Sequence, residues 1–223
     1  MLVDDLRHAC ADDWHAFTQH DFLAGIADGS LPEAAFREYL IQDYRFLVHF
    51  ARAHALEAFK ADTVADLEWA ASAAAGIIST EMRMHVEYCA AWGIDEAQLE
   101  AAEEAPENVA YTSFVIETGL AGDALDLAVS LMPCTVGYGE IGARLLADPA
   151  TDLGEGNPYA PWISAYGGQS FQDGVADASA RLERLSLRHG GSERFEQLCA
   201  IFAEAARLEA AFWQMGIDRG NAA

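Results

Sequence analysis

Apolar residues recur at helical spacing from the start of the chain. Val3, Leu6, Ala9, Cys10, Trp14 and Phe17 share one face and acids occupy the other, which predicts an amphipathic helix over 3–20. The run Asp28-Gly29-Ser30-Leu31-Pro32-Glu33 reads as a helix stop followed by a new start, with Ser30 as the cap and Pro32 in the first turn. A second helix then extends to about Lys60. Asp62 opens a third that continues to Trp92, where Gly93 ends it, and Asp95 starts a short fourth. Pro106-Glu107-Asn108 precedes a segment from Val109 to about Leu120, and a further helical stretch covers Asp123 to Ala147. After the breakers Asp148-Pro149 and Gly154-Glu155-Gly156-Asn157-Pro158 come a short helix at Pro161 to Tyr166 and a turn at Gly167-Gly168. A helix from about Phe171 to Arg188, the Gly190-Gly191 break and a long last helix from Ser192 to about Gly216 complete the chain. No segment alternates apolar and polar residues as a surface strand does. The expected fold is all-α, a single-domain helical bundle spanning 1–223.

One stretch breaks the helical rule. Ser130-Leu131-Met132-Pro133-Cys134-Thr135-Val136-Gly137-Tyr138-Gly139-Glu140 sits inside an apolar helical pattern yet carries a proline and two glycines. An interior proline costs about 3 kcal/mol and each glycine roughly 1, so this turn gives up on the order of 5 kcal/mol of local propensity. Such violations gather at functional or tightly packed sites. The proline should kink the axis and leave a carbonyl one turn back unpartnered. Gly137 and Gly139 should clear a surface, and Cys134 and Tyr138, four apart, should face it together. A thiol and a phenol beside cleared space suit a small-molecule pocket. The plainer alternative is a kinked core helix in which Cys134 is a small buried hydrophobe.

Two carboxylates lie inside apolar stripes. Asp43 shares a face with Phe46 and Leu47, while Arg45 points elsewhere, so its partner must come from another helix or from a ligand. Glu209 shares a face with Phe212 and Trp213, where burial would raise its pKa toward the range of a general acid or base. Either acid could instead be structural: Asp43 ion-paired, Glu209 solvated at the edge of its stripe.

Charge narrows the partners. With 36 acidic against 13 basic residues, Lys60 the single lysine, the net charge is −23. A surface that negative repels nucleic acid and anionic membranes. It also suits concentrated salt, where self-repulsion is screened within a few ångströms. No apolar run is long enough to span a bilayer, and the acidic start Met1-Leu2-Val3-Asp4-Asp5 lacks the pattern of a signal peptide, so a cytoplasmic protein is expected. Cysteines at 10, 89, 134 and 199 form no Cys-x-x-Cys pair and suggest neither a zinc ribbon nor a disulfide framework.

Six blocks in order carry a family resemblance. They are Gln42-Asp43 with Leu47 and His49-Phe50-Ala51; Glu81-Met82 with His85; Tyr111-Thr112-Ser113; Pro133-Cys134 with Tyr138 and Glu140; Trp162-Ile163 with Tyr166-Gly167-Gly168; and Glu209 with Phe212-Trp213. Over nearly its whole length the chain resembles the TenA family, the thiaminase-II group of aminopyrimidine hydrolases within the haem-oxygenase-like fold. The resemblance implies Cys134 as nucleophile, Glu209 as catalytic acid and base, and Asp43 as the acid that holds the aminopyrimidine. It implies Tyr111, Tyr138 and Tyr166 as pocket residues. Phe46 stands where relatives often have tyrosine; it can still offer a stacking face. A homotetramer is implied, with a dimer as the other assembly to test, and the expected partner is a small pyrimidine, not nucleic acid or membrane.

The residue types fit that chemistry. A sulfur nucleophile adds to a ring carbon, electrons expel an amine from the attached methylene, and water enters before the sulfur departs. Asp43 would favour ring protonation as the sulfur adds, and Glu209 would protonate the leaving amine and then deprotonate water. The implied substrates are the aminomethylpyrimidine breakdown product of thiamine and thiamine itself, with salvage of the former the expected role. No metal or organic cofactor is required. Three other readings remain at this stage: a non-catalytic aminopyrimidine binder, a di-metal oxygenase begun by Glu81, His85 and Glu140, and a haem protein using His15 or His20.

Overall fold

The computed structural model describes residues 1–222, and among them all regular structure is helical. Helix α1 (Leu2–Ala9) and α2 (Ala11–Thr18) replace the single first helix expected from periodicity. The chain bends at Cys10, so that α1 lies against α12 (Gln169–His189) and α13 (Phe195–Ala222) while α2 runs along α13. A straight helix would have lost one of these contacts. Helix α3 (Asp21–Asp28) ends at Gly29, whose φ of 76° is the left-handed C-terminal turn that glycine adopts without strain. Ser30 does not cap the next helix. Its N–H donates to Asp28 Oδ1 instead, and α4 (Glu33–Lys60) begins after Pro32, an N-cap without a side-chain bond.

The third predicted helix is present but interrupted. Thr63, not Asp62, caps α5 (Val64–Gly76), accepting from the Asp66 N–H at 3.1 Å. A π turn over Ile77–Glu81 then leads into α6 (Met82–Ala91). Asp95 starts α7 (Glu96–Ala101) with a reciprocal capping box to Gln98. Helix α8 (Pro106–Ala121) begins a turn earlier than expected, because proline is well suited to a first helical turn.

The segment 123–147 contains α9 (Ala124–Met132), a second π turn over Pro133–Gly137, and α10 (Tyr138–Ala147). The predicted disruption at Pro133 therefore takes the form of a widened turn. Hydroxyls help satisfy the carbonyls around it: Ser130 Oγ donates to Leu127 O at 2.8 Å and Thr135 Oγ1 to Leu131 O at 3.4 Å. The glycines do not clear space for a ligand, contrary to expectation. A Cβ at Gly137 would collide with the Phe17 ring, and one at Gly139 would come within 2.6 Å of Val175 Cγ2. They let α2 and α12 press against this element.

Helix α11 (Ala160–Gly167) packs on α10, α12 on α9, and α13 runs through the centre. The two 28-residue helices α4 and α13 form the axial pair. Gly216 does not end α13 as periodicity suggested. It is buried 3.0 Å from Phe22 by its virtual Cβ, and with Gly220 it lets α13 cross the start of α4 beside Ala35. Trp213 is fully buried where α2, α3, α4, α10 and α11 converge on α13, its ring centroid 4.9 Å from Phe22, 5.2 Å from Tyr138 and 5.3 Å from Tyr39. Truncating such a residue to alanine costs about 3–5 kcal/mol.

Candidate active site

Asp43 on α4 and Glu209 on α13 project from the axial pair toward one another's side of the core, and the Cys134 π turn closes on them. Asp43 belongs to a row Tyr39, Asp43, Phe46, Phe50 at helical spacing along α4. Its neighbour Gln42 points away and is spent on structure. Its side chain accepts from the Ala105 N–H at 2.9 Å and donates to Glu103 O at 3.0 Å, fixing the start of α8. That helix delivers Tyr111, whose hydroxyl donates to Glu209 Oε1 at 2.9 Å.

Both predicted acids are buried and neither meets a lysine or arginine among the described residues. The expected partner of Asp43 is His85, with Nδ1 3.4 Å from Oδ2. This is a contact without a cation. His85 Nε2 lies 2.8 Å from the Leu40 carbonyl, which requires the proton on Nε2, and burial lowers the pKa of the ring, leaving Nδ1 an unprotonated acceptor. Asp43 must then carry the proton to meet it favourably. Its pKa agrees, pushed up by burial to about 7. Glu209 is pushed up to about 8 by burial and by Asp43, with the Tyr111 hydrogen bond pulling the other way.

The Cys134 thiol is held well above its ordinary value by burial and then by the charges of Glu209, Asp43 and Glu81. Its residue nonetheless retains solvent-accessible surface, as do Glu81, His85 and Tyr166, whereas Asp43, Tyr111, Tyr138 and Glu209 are buried. The half-buried members mark the side, here called the cleft, on which this otherwise buried cluster reaches solvent. At rest the thiol is neutral, not the thiolate that the mechanism invokes, so its proton must move when sulfur bonds to carbon.

Aromatic rings build the remaining walls. Tyr138 and Tyr166 stand 5.0 Å apart by ring centroid, and Phe46 lies 5.1 Å from Tyr111 and 5.7 Å from Phe50. The structure thus brings together all seven residues singled out in the sequence, Asp43, Phe46, Tyr111, Cys134, Tyr138, Tyr166 and Glu209, around one interior region. It adds Tyr39, which no sequence motif marks. The Tyr39 hydroxyl accepts from Trp162 Nε1 at 3.2 Å, and the Trp162 ring lies 4.6 Å from Tyr166 and 6.0 Å from Tyr138 by centroid. Its position four residues before Asp43, on the same helical face, is the signal that could have found it.

The oxygenase alternatives lose their ligands. Glu140 is committed to Arg7 and to the Trp14 indole N–H, 3.2 Å away, at the other side of α10. His15 is exposed, and His20 caps α3 by accepting from the Phe22 N–H. No group of three or more His, Cys, Asp or Glu side chains among the described residues is arranged to hold a metal ion.

The TENA/THI-4/PQQC family profile matches residues 8–219. The chain belongs to this family. Over 207 residues it is 33% identical to an aminopyrimidine aminohydrolase of Halalkalibacterium halodurans, covering 92% of this chain and 90% of that one. A TenA family transcription regulator from Silicibacter sp. TM1040 superposes with a TM-score of 0.92 at 40% identity, covering 97% of this chain and 96% of that one. A domain from Shewanella denitrificans with a heme oxygenase-like fold superposes at TM-score 0.75 with 16% identity, covering 96% of this chain and 91% of that one; it speaks to fold alone. For a TENA/THI-4/PQQC chain the bundle is therefore as expected, all-α and haem-oxygenase-like.

Proposed function

We propose that this protein is an aminopyrimidine aminohydrolase of thiamine salvage, cleaving the pyrimidine-CH2–N bond of 4-amino-5-aminomethyl-2-methylpyrimidine, and of thiamine to a lesser extent, to give the hydroxymethylpyrimidine. The observation that carries the reading is the meeting of one thiol with Asp43 and Glu209 in a cleft that holds no neutralising cation. A relative 33% identical over nearly its full length has the same activity in its name.

The resting protonation states supply the proton inventory. Cys134 Sγ bonds to a ring carbon while its proton passes to a ring nitrogen through Asp43, which begins protonated against His85. The ring electrons then expel the amine, which takes a proton from Glu209, leaving an exocyclic methylene. Water adds to the methylene and returns a proton to Glu209. Loss of the ring proton breaks the C–S bond and restores the thiol. Tyr111 orients Glu209 throughout by its hydrogen bond.

The test is ammonia release from the aminomethylpyrimidine by wild type and Cys134→Ser. Wild type should turn over and the variant should lose at least about 10²-fold in kcat while binding the hydroxymethyl product normally. Tight binding of pyrimidine by a wild type that releases no ammonia would leave only a binder. A role in transcription regulation, the one the Silicibacter protein is named for, would have to bind nucleic acid against a net charge of −23 and finds no support there.

Assembly and setting follow as part of the same proposal. Large exposed apolar side chains concentrate in one stretch, Phe59, Val64, Leu67, Ile78 and Met84, which supports a homotetramer built on α5 and α6. Light scattering on the eluted protein distinguishes tetramer from dimer or monomer. No described helix is long and apolar enough to cross a membrane, and all four cysteines are free, which supports a reducing, cytoplasmic location. The acidic surface supports adaptation to salt; the melting temperature should rise from dilute to molar KCl, and an unchanged one would remove that idea.

A further inference from the structure

Two π turns interrupt otherwise regular helices, and each carries a half-buried polar residue of the same cluster. One carries Cys134. The other ends at Glu81, which the proposed reaction does not use. π turns are uncommon and gather at functional sites.

Glu81 is half-buried, and among the described residues it accepts no side-chain hydrogen bond and joins no ion pair. It is faced by Asp43 and His54 from α4 and by His85 from its own side, and it lies within electrostatic reach of Cys134. Both histidines ease its charge, but neither is hydrogen-bonded to it. His54 Nδ1 is 2.6 Å from Glu57 Oε2, and His85 is oriented by the Leu40 carbonyl. Among the described residues no lysine or arginine pairs with Glu81 or Asp43. A carboxylate so placed is costly unless a ligand supplies what the protein withholds.

We propose that Glu81 is a specificity-determining residue of this site, acting beside Asp43 to bind the pyrimidine through its exocyclic amino group in an amidinium-like, cationic form. This inference rests on the aminopyrimidine reading given above and deepens it. Two adjacent acids match two faces of an aminopyrimidinium: Asp43 takes the ring N–H and one amino N–H, and Glu81 takes the second amino N–H. An oxo group in place of the amino group offers no hydrogen to Glu81 and no positive charge to either acid. The pair therefore selects amino over oxo pyrimidines, because an acid left unpaired against the wrong ring opposes its binding.

The geometry assigns Glu81 to the Asp43 side of the cleft and not to the leaving group. Glu81 stands one helical turn before His85, whose Nδ1 is 3.4 Å from Asp43 Oδ2, whereas Glu209 accepts from Tyr111 on α8. Removing Glu81 should weaken recognition of the ring and leave the chemistry of the methylene largely intact.

The experiment is calorimetric binding of two unreactive ligands to wild type, Glu81→Gln and Glu81→Asp. One ligand is 4-amino-5-hydroxymethyl-2-methylpyrimidine; the other is its 4-oxo counterpart. Steady-state kinetics with the aminomethyl compound run in parallel. Glu81→Gln should bind the amino ligand about tenfold or more weakly with less than about twofold change for the oxo ligand, and KM should rise more than kcat falls. Glu81→Asp should recover part of the loss. An equal loss for both ligands makes Glu81 merely structural and overturns the proposal, as does no loss for either. A wild type that binds the amino ligand with this Glu81-dependent preference but releases no ammonia sinks the hydrolase and spares the recognition site. A wild type that binds neither ring sinks both.

Discussion

Helix α4 carries two buried carboxylates, Asp43 and Glu57, fourteen residues and about 21 Å apart along one helix. They have opposite fates. Glu57 accepts from Arg181 at 2.6 Å and lies 2.6 Å from His54 Nδ1, and the Arg181 guanidinium rests 4.3 Å over the Trp69 ring. Burial works against its charge, but His54 and Arg181 outweigh it and hold its pKa below the usual range. Asp43, Glu81 and Glu209 pair with no lysine or arginine among the described residues, and burial pushes all three up to about 7 or 8. One helix thus holds a satisfied acid that ties α4 to α12 and an unsatisfied one that waits for a ligand. The difference is not depth, since both are nearly inaccessible; it is whether the fold provides a counter-charge.

The same substitution should therefore read differently in the two places. Glu209→Gln replaces an already neutral acid with a neutral amide that still accepts from Tyr111, so stability should move by less than about 1 kcal/mol. Its kcat should fall about 10²–10⁴-fold, the range expected when a general acid and base is lost. Urea unfolding and ammonia release on one preparation measure both. A variant that unfolds early, or that keeps its kcat, would mean that Glu209 belongs with Glu57 and not with Asp43.

The converse change is Arg181→Met, which keeps a long apolar stem over Trp69 and strands Glu57. Breaking a buried pair on one side costs about 3–5 kcal/mol. The urea midpoint should drop accordingly, while the folded fraction retains its kcat because Arg181 touches no residue of the cleft. A kcat that falls in step with Arg181 loss would show that the two clusters are one system, coupled through His54 to Glu81.

The contrast between the clusters also marks what a sequence can reveal. Periodicity exposes Asp43 and Glu209 as polar residues inside apolar stripes, by their aromatic neighbours, and does not mark Glu57. It does not say which acid receives a cation, because Arg181 is 124 positions from Glu57 and its approach depends on how α12 packs. Helix existence was legible for the same local reasons that made the joints illegible. The bend at Cys10 and the π turn at Ile77–Glu81 leave the apolar pattern intact and arise from packing against α12, α13 and α4. Gly137 and Gly139 were visible as anomalies, yet their cause, the approach of Phe17 and Val175, lies in distant segments. Glu81 was seen only as part of a family block and as a possible metal ligand. Its lack of a lysine or arginine partner among the described residues appears only when α4 and α6 are side by side.

The two clusters should also answer pH with opposite signs. Asp43, Glu81 and Glu209 have folded pKa values above their ordinary ones, so their contribution to stability is complete below about pH 4 and is lost as pH rises through 7 to 8. Glu57 and Asp66 are lowered in the folded protein, so their contribution is present above the ordinary carboxylate range and is lost as pH falls through the folded values. The half-buried His20 and His85, whose pKa values burial lowers, act on the acid side too, since unfolding lets them take up protons. The ligand-free protein should accordingly lose several kcal/mol of stability between about pH 5 and pH 8, because a tenfold change in a group's proton affinity is worth about 1.4 kcal/mol and three acids contribute. Thermal melts at fixed salt from pH 4.5 to 9 would trace the curve. In Glu209→Gln the alkaline decline should shrink, and saturating 4-amino-5-hydroxymethyl-2-methylpyrimidine should flatten it by giving the ionised acids a cation. Stability that climbs steadily from pH 6 to 8 would mean that the three acids are already charged in the folded state, and with it the distinction between the two ends of α4 would be lost.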